Sequence, residues 1–112
     1  MTLSQYYATL LRQRCPRSGG DQTLFFLDFA TPFKFDNHYF KNLIMYKGLL
    51  SSDEILFTKN KQSKELVELY AENQEAFFEQ FAKSMVKMGN ISPLTGAKGE
   101  IRRICRRVNH AY

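Results

Sequence analysis

A mostly α protein is expected from this sequence, on three observations. Apolar residues recur at helical spacing, as in Leu3, Tyr7, Leu10 and Leu11 and again in Phe77, Phe78, Phe81, Met85 and Met88. Chain breakers such as Pro16, Gly19, Gly20, Gly48 and Gly89 fall between the periodic segments rather than inside them. Side chains able to cap a helix stand where two of those segments begin, Asp36 before one and Ser51 or Ser52 before another.

Taken in order, residues Ser4 to Gln13 read as a helix that ends ahead of Pro16, because a proline disfavours helical backbone in the residue before it. "CPRSGGDQ" is a loop. "TLFFLDFATPFKF" holds too many aromatic residues to be solvated and too many breaks to be helical, so it reads as an extended, buried connection. Asp36 then caps "NHYFKNLIMYK", whose inward stripe is Phe40, Leu43, Ile44 and Lys47 and whose C-terminal signal is Gly48. "SSDEILF" reads as a short helix. Ser63 to Glu72 shows Leu66, Val67 and Tyr70 on one face, and Gln74 to Met88 carries the aromatic and methionine stripe, closed by Gly89. The tail from Asn90 onward is rich in turns and shows no legible pattern. There is no repeat and no low-complexity tract.

With 112 residues the chain fits one domain. Its 16 basic and 11 acidic residues give a net charge of +5, but the basic residues are scattered except for Arg102, Arg103, Arg106 and Arg107, so no nucleic-acid partner is expected. No apolar run approaches the roughly 20 residues of a membrane span, and the opening "MTLSQYYATLLRQRCP" is not a signal peptide. Cys15 and Cys105 allow either one long-range bridge or two buried thiols.

Two constellations are candidates for chemistry. Asp28, Thr31 and Asp36 set hard oxygen donors within one turn-prone loop, a composition that suits calcium, although the spacing is not that of an EF-hand and capping roles explain both acids. Asp53 is an acid among apolar neighbours near a helix start. It either accepts main-chain N–H groups there or orients a cation or a histidine N–H. His38 and His110, the only histidines, have no companion ligands at zinc spacing. The sequon Asn90-Ile91-Ser92 is followed by Pro93 and reads as a structural turn.

"LRQRCP", "DFATPFKFDNHYFKNL", "KGLLSSDEILF" and "FFEQFAKSMVKMGNISPLTGAKGEIRRICRRVN" together resemble the C-terminal part of class III secretory plant peroxidases, in order and nearly from end to end. The resemblance implies the proximal-side part of an all-helical haem peroxidase fold with irregular loops, residues 1–112 forming a single incomplete domain. It implies haem b and calcium as cofactors, hydrogen peroxide and small phenols as substrates, a monomeric parent, and a secreted, extracellular or vacuolar location. Asp28, Thr31, the main-chain carbonyl of Lys34 and Asp36 match the family's calcium ligands. Asp53 matches the acid that accepts a hydrogen bond from the iron-bound histidine, and Leu27 the side chain packed near that histidine. Cys15 and Cys105 match cysteines whose partners lie upstream of this chain. So do the iron-bound histidine and the distal histidine and arginine, and the 112 residues alone are therefore expected to be inactive. A chain cut from such a fold is also expected to leave the Phe25–Phe35 loop and the Phe77–Met88 face under-buried. The rival readings are a non-catalytic calcium-binding helical chain and a basic binder of nucleic acid or anionic surfaces.

Overall fold

The computed structural model describes residues 3–109; His110 lies outside them. Five α-helices follow one another: α1 (Gln5–Arg14), α2 (His38–Ile44), α3 (Ser51–Thr58), α4 (Lys61–Glu72) and α5 (Gln74–Gly89), then a single 3₁₀ turn, Gly96–Lys98. Among the described residues there is no strand, and no helix is long and apolar enough to cross a membrane. Contacts divide the chain into two compact units, Met1–Gln80 and Phe81–Tyr112, with the division inside α5.

In the first unit α2, α3 and α4 pack against one another. Leu43 of α2 is wholly buried, with Val67 and Ala71 of α4 nearly so. Both helices thus turn an apolar stripe inward, the main source of stability for helices this short. Leu66, which the spacing also placed inward, is half exposed. A polar join reinforces the α2–α4 contact: Asn37 Nδ2 donates to the carbonyls of Tyr70 and Ala71 at 3.0 and 2.9 Å, satisfying acceptors that the end of α4 leaves without helical partners. Phe40 then bridges Tyr70 and Phe77, its ring centroid 5.2 and 4.9 Å from theirs.

Helix ends differ from expectation in instructive ways. The structure ends α2 at Ile44, with Tyr46 in the left-handed region at φ 56°. Lys47 N–H reaches Asn42 O and Tyr46 N–H reaches Leu43 O, the paired bonds of a Schellman ending, here with tyrosine where glycine is usual. Gly48 therefore does not terminate the helix. It is needed because a Cβ there would lie 2.7 Å from Glu54 Oε1. Neither Ser51 nor Ser52 caps α3; Asp53 does so from within the helix, by accepting Leu50 N–H. Helix α4 starts earlier than its apolar residues suggest because Asn60 Oδ1 accepts Gln62 N–H and Ser63 N–H at 2.8 and 3.2 Å.

The aromatic connection between α1 and α2 is non-helical, as expected, but it is not buried. Leu24 is 93 % exposed and Phe33 88 %. Tyr7 of α1 is the exception in this region, buried edge-on against Phe29 at 4.9 Å between centroids. In the second unit no described residue is buried, and Phe81, Met85 and Met88 are all at least 40 % exposed. Exposure of both the loop and this face agrees with the expectation drawn from the resemblance. The terminal segment is tied locally: Glu100 accepts Arg102 Nε at 3.0 Å and Asn109 N–H at 3.2 Å, and Asn109 Nδ2 donates to Ile101 O.

Candidate functional site

The loop 28–36 is organised by its acids. Asp28 Oδ1 accepts the N–H groups of Ala30 and Thr31 at 2.8 and 3.0 Å, a turn closed by the side chain in place of main chain. It also accepts Asn42 Nδ2 at 2.7 Å. Asp36 is buried and its Oδ1 accepts His38 N–H at 2.9 Å, so it serves the start of α2 from one residue further out than a conventional cap. The Thr31 hydroxyl lies 3.1 Å from Asp28 Oδ2 and 3.0 Å from Asp36 Oδ1. One hydroxyl has one proton, so it cannot donate to both carboxylates at once. Burial pushes the Asp36 carboxyl up, but His38 N–H, the Thr31 hydroxyl and the His38 ring, with Nδ1 3.1 Å from Oδ2, more than offset this and hold it below the usual carboxylate range.

The donor set fits calcium. That ion takes six to eight oxygens at about 2.3 to 2.6 Å, mixing carboxylates with hydroxyls and main-chain carbonyls. Two carboxylates and a hydroxyl already converge, with Lys34 Nζ 4.0 Å from Asp36 Oδ2 as a cationic neighbour. Lys34, whose carbonyl the resemblance adds to the set, closes a turn with its N–H on Thr31 O at 3.1 Å. Among the described residues no group of three or more His, Cys, Asp and Glu side chains gathers to hold a metal ion, so the calcium fit rests on two carboxylates together with hydroxyl and carbonyl oxygens.

Asp53 lies across α2 from this loop in sequence and is 8 % exposed. Its Oδ2 accepts Leu50 N–H at 2.7 Å and its Oδ1 accepts the Tyr39 hydroxyl at 2.9 Å. The main-chain role expected of this acid is therefore present, and a tyrosine bond is added that the sequence did not reveal. Burial first, and then Asp53 and Glu54, push the Tyr39 phenol well above its ordinary value. Glu54, wholly buried next to Asp53, takes Gly48 N–H. Burial, with the Asp53 charge, pushes its carboxyl up despite that bond.

Tyr39, Asn42 and Glu54 went unnoticed in the sequence. Asn42 stands off the Phe40–Leu43–Ile44–Lys47 stripe, so the apolar periodicity carried no signal for it. Leu27 is 53 % exposed. His38 is tied to Asp36 and joins no further metal ligand. Cys15 and Cys105 are both free and exposed, so neither the mutual bridge nor the pair of buried thiols is present.

Helices without a strand among the described residues, an oxygen-rich loop and a buried acid held at both oxygens define a protein of the helical class. It belongs to the peroxidase family: the Peroxidase family model matches residues 1–73. The chain is 71 % identical to Peroxidase 36 of Arabidopsis thaliana over 97 % of its own length and 32 % of that protein's. It is 66 % identical to Peroxidase 15 of the same plant, over 98 % and 32 %. Against a peroxidase of Triticum aestivum the identity is 48 %, over 92 % and 33 %. The chain thus spans about a third of the length of the curated relatives it matches.

Proposed function

We propose that residues 1–112 form one incomplete domain, the C-terminal part of a secreted haem peroxidase that uses hydrogen peroxide to oxidise small phenols. The observation that carries this reading is Asp53, a buried carboxylate fixed by one donor on each oxygen, in a chain of the peroxidase family. Each oxygen retains a second acceptor position. One of these accepts the N–H of the iron-bound histidine, which belongs to sequence outside these residues. A carboxylate on that N–H makes the imidazole a stronger iron donor. Leu27 packs near the same ring. Haem b, when bound, supplies the redox chemistry that couples peroxide reduction to phenol oxidation.

Asp28, Thr31, the Lys34 carbonyl and Asp36 hold calcium, a reading supported by the convergence of both carboxylates on the Thr31 hydroxyl, and the ion stiffens the entry to α2. Cys15 and Cys105 pair with cysteines outside the chain, consistent with their exposure as free thiols. The parent is a monomer without nucleic-acid or membrane partners.

A haemin titration of the purified chain with calcium present tests the division of labour. Weak, non-saturating binding without oxidation of a phenol is expected. A saturable complex with turnover would show that the chain contains its own iron ligand and would overturn the reading. Calorimetry with calcium tests the loop: saturable binding is expected, and it should vanish when Asp28→Asn and Asp36→Asn are combined. An unchanged isotherm would remove calcium from the proposal. A purely calcium-binding, non-catalytic helical chain is the second reading, favoured by the same converging oxygens considered alone.

A further inference from the structure

We infer that Tyr39 is a positioning residue for Asp53, setting both the orientation of its carboxylate and its strength as an acceptor. The inference rests on the reading of Asp53 given above. Tyr39 stands in the first turn of α2 and Asp53 in the first turn of α3, so the 2.9 Å bond from the phenolic hydroxyl to Oδ1 joins two packed helices. Leu50 N–H holds Oδ2 from the main chain of α3's own start. With one donor on each oxygen, the carboxylate cannot rotate without breaking a bond. At 8 % exposure, bulk water is not available to replace the lost partner.

The same bond sets acceptor strength. A donor to a carboxylate oxygen withdraws electron density from the whole group, so Asp53 with Tyr39 in place accepts a further hydrogen bond less strongly than Asp53 without it. A weaker acceptor pulls less on the imidazole N–H that shares it, and the imidazole is then a weaker donor to iron. Tyr39 therefore restrains the electronic push that Asp53 exerts. Its ring is held independently of the hydroxyl, by an edge contact with Phe40 at 5.3 Å between centroids. Tyr39→Phe should accordingly remove the donor and keep the packing.

The test uses a full-length, haem-loaded protein in which these 112 residues replace the corresponding segment of Arabidopsis Peroxidase 36. The readouts are the ferric–ferrous midpoint potential and the iron–histidine stretching frequency, neither of which requires turnover. Tyr39→Phe should lower the potential and raise the stretching frequency. A ring-fluorinated tyrosine at position 39, a stronger donor measured while still protonated, should shift both in the opposite sense. Asp53→Asn is the control. If it moves both readouts while neither change at Tyr39 does, the role of Tyr39 is refuted and the reading of Asp53 stands. If Asp53→Asn also moves nothing, the reading of Asp53 itself fails. Should Tyr39→Phe not load haem, the fluorinated residue decides alone: absence of its opposite shift overturns the inference.

Discussion

Asn42 Nδ2 donates to Asp28 Oδ1 at 2.7 Å, linking the middle of α2 to the loop that precedes it. Together with the N–H groups of Ala30 and Thr31 this gives one carboxylate oxygen three donors and leaves Oδ2 to face the Thr31 hydroxyl. Asn42 is almost wholly buried, so its loss cannot be repaired by solvent. Asn42→Leu should destabilise the chain by about 1.5 to 3 kcal/mol, the usual worth of a hydrogen bond to a charged group. Urea unfolding measures this. If calcium is held by Asp28, the same variant should alter calcium affinity by loosening the Asp28 side chain; an unchanged affinity would separate Asn42 from the proposed calcium loop.

Gly48 has no room for a side chain. An added Cβ would meet Glu54 Oε1 at 2.7 Å and Leu43 Cδ2 at 3.0 Å. Gly48→Ala should cost about 1 to 3 kcal/mol, as overpacking of a close contact does, seen as a lowered thermal midpoint. No change in the midpoint would mean that the loop between α2 and α3 yields easily.

Leu43 is the most completely buried apolar side chain among the described residues. Leu43→Ala should cost about 2 to 5 kcal/mol through lost transfer energy and the cavity left behind. Leu66→Ala, at a half-exposed position of α4, should cost much less. Equal losses in denaturant unfolding would contradict the packing of α2 on α4 described above.

Tyr39 should titrate abnormally. Its phenol is raised by burial and by Asp53 and Glu54, so its contribution to stability is complete below the ordinary tyrosine value and is lost as pH rises through the raised one. Ultraviolet titration should show late-ionising phenols, Tyr39 and also Tyr7, whose phenol burial likewise raises. Asp53→Asn should bring the Tyr39 phenol down by removing a nearby negative charge, and a Tyr39 phenol that does not move would place Tyr39 away from Asp53 in solution.

Helix positions were largely legible because the signals are local. A 3.6-residue apolar stripe, a proline after α1 and a capping side chain all act within a few residues of where they stand. Errors arose where one signal had two uses. Gly48 resembles a helix stop, yet α2 had already closed at Tyr46, and the glycine is reserved for Glu54. The serines of "LLSSDEILF" resemble caps, yet Asp53 supplies that bond from inside the helix. The aromatic loop reads as buried because aromatic side chains seek burial, but composition does not say which surface provides it.

The sequence alone therefore settled the helical class and most of the helices, and it picked out Asp28, Asp36 and Asp53, each of which accepts the nearby main-chain N–H groups that local rules lead one to expect, while missing the buried Glu54. Tertiary structure alone chose their partners. Asn42 with Asp28, Tyr39 with Asp53, and Asn37 with the end of α4 are bonds between residues far apart in the chain. A hydrogen bond is decided within about half an ångström by the position of both groups, and no spacing rule reaches from one helix to the next with that precision.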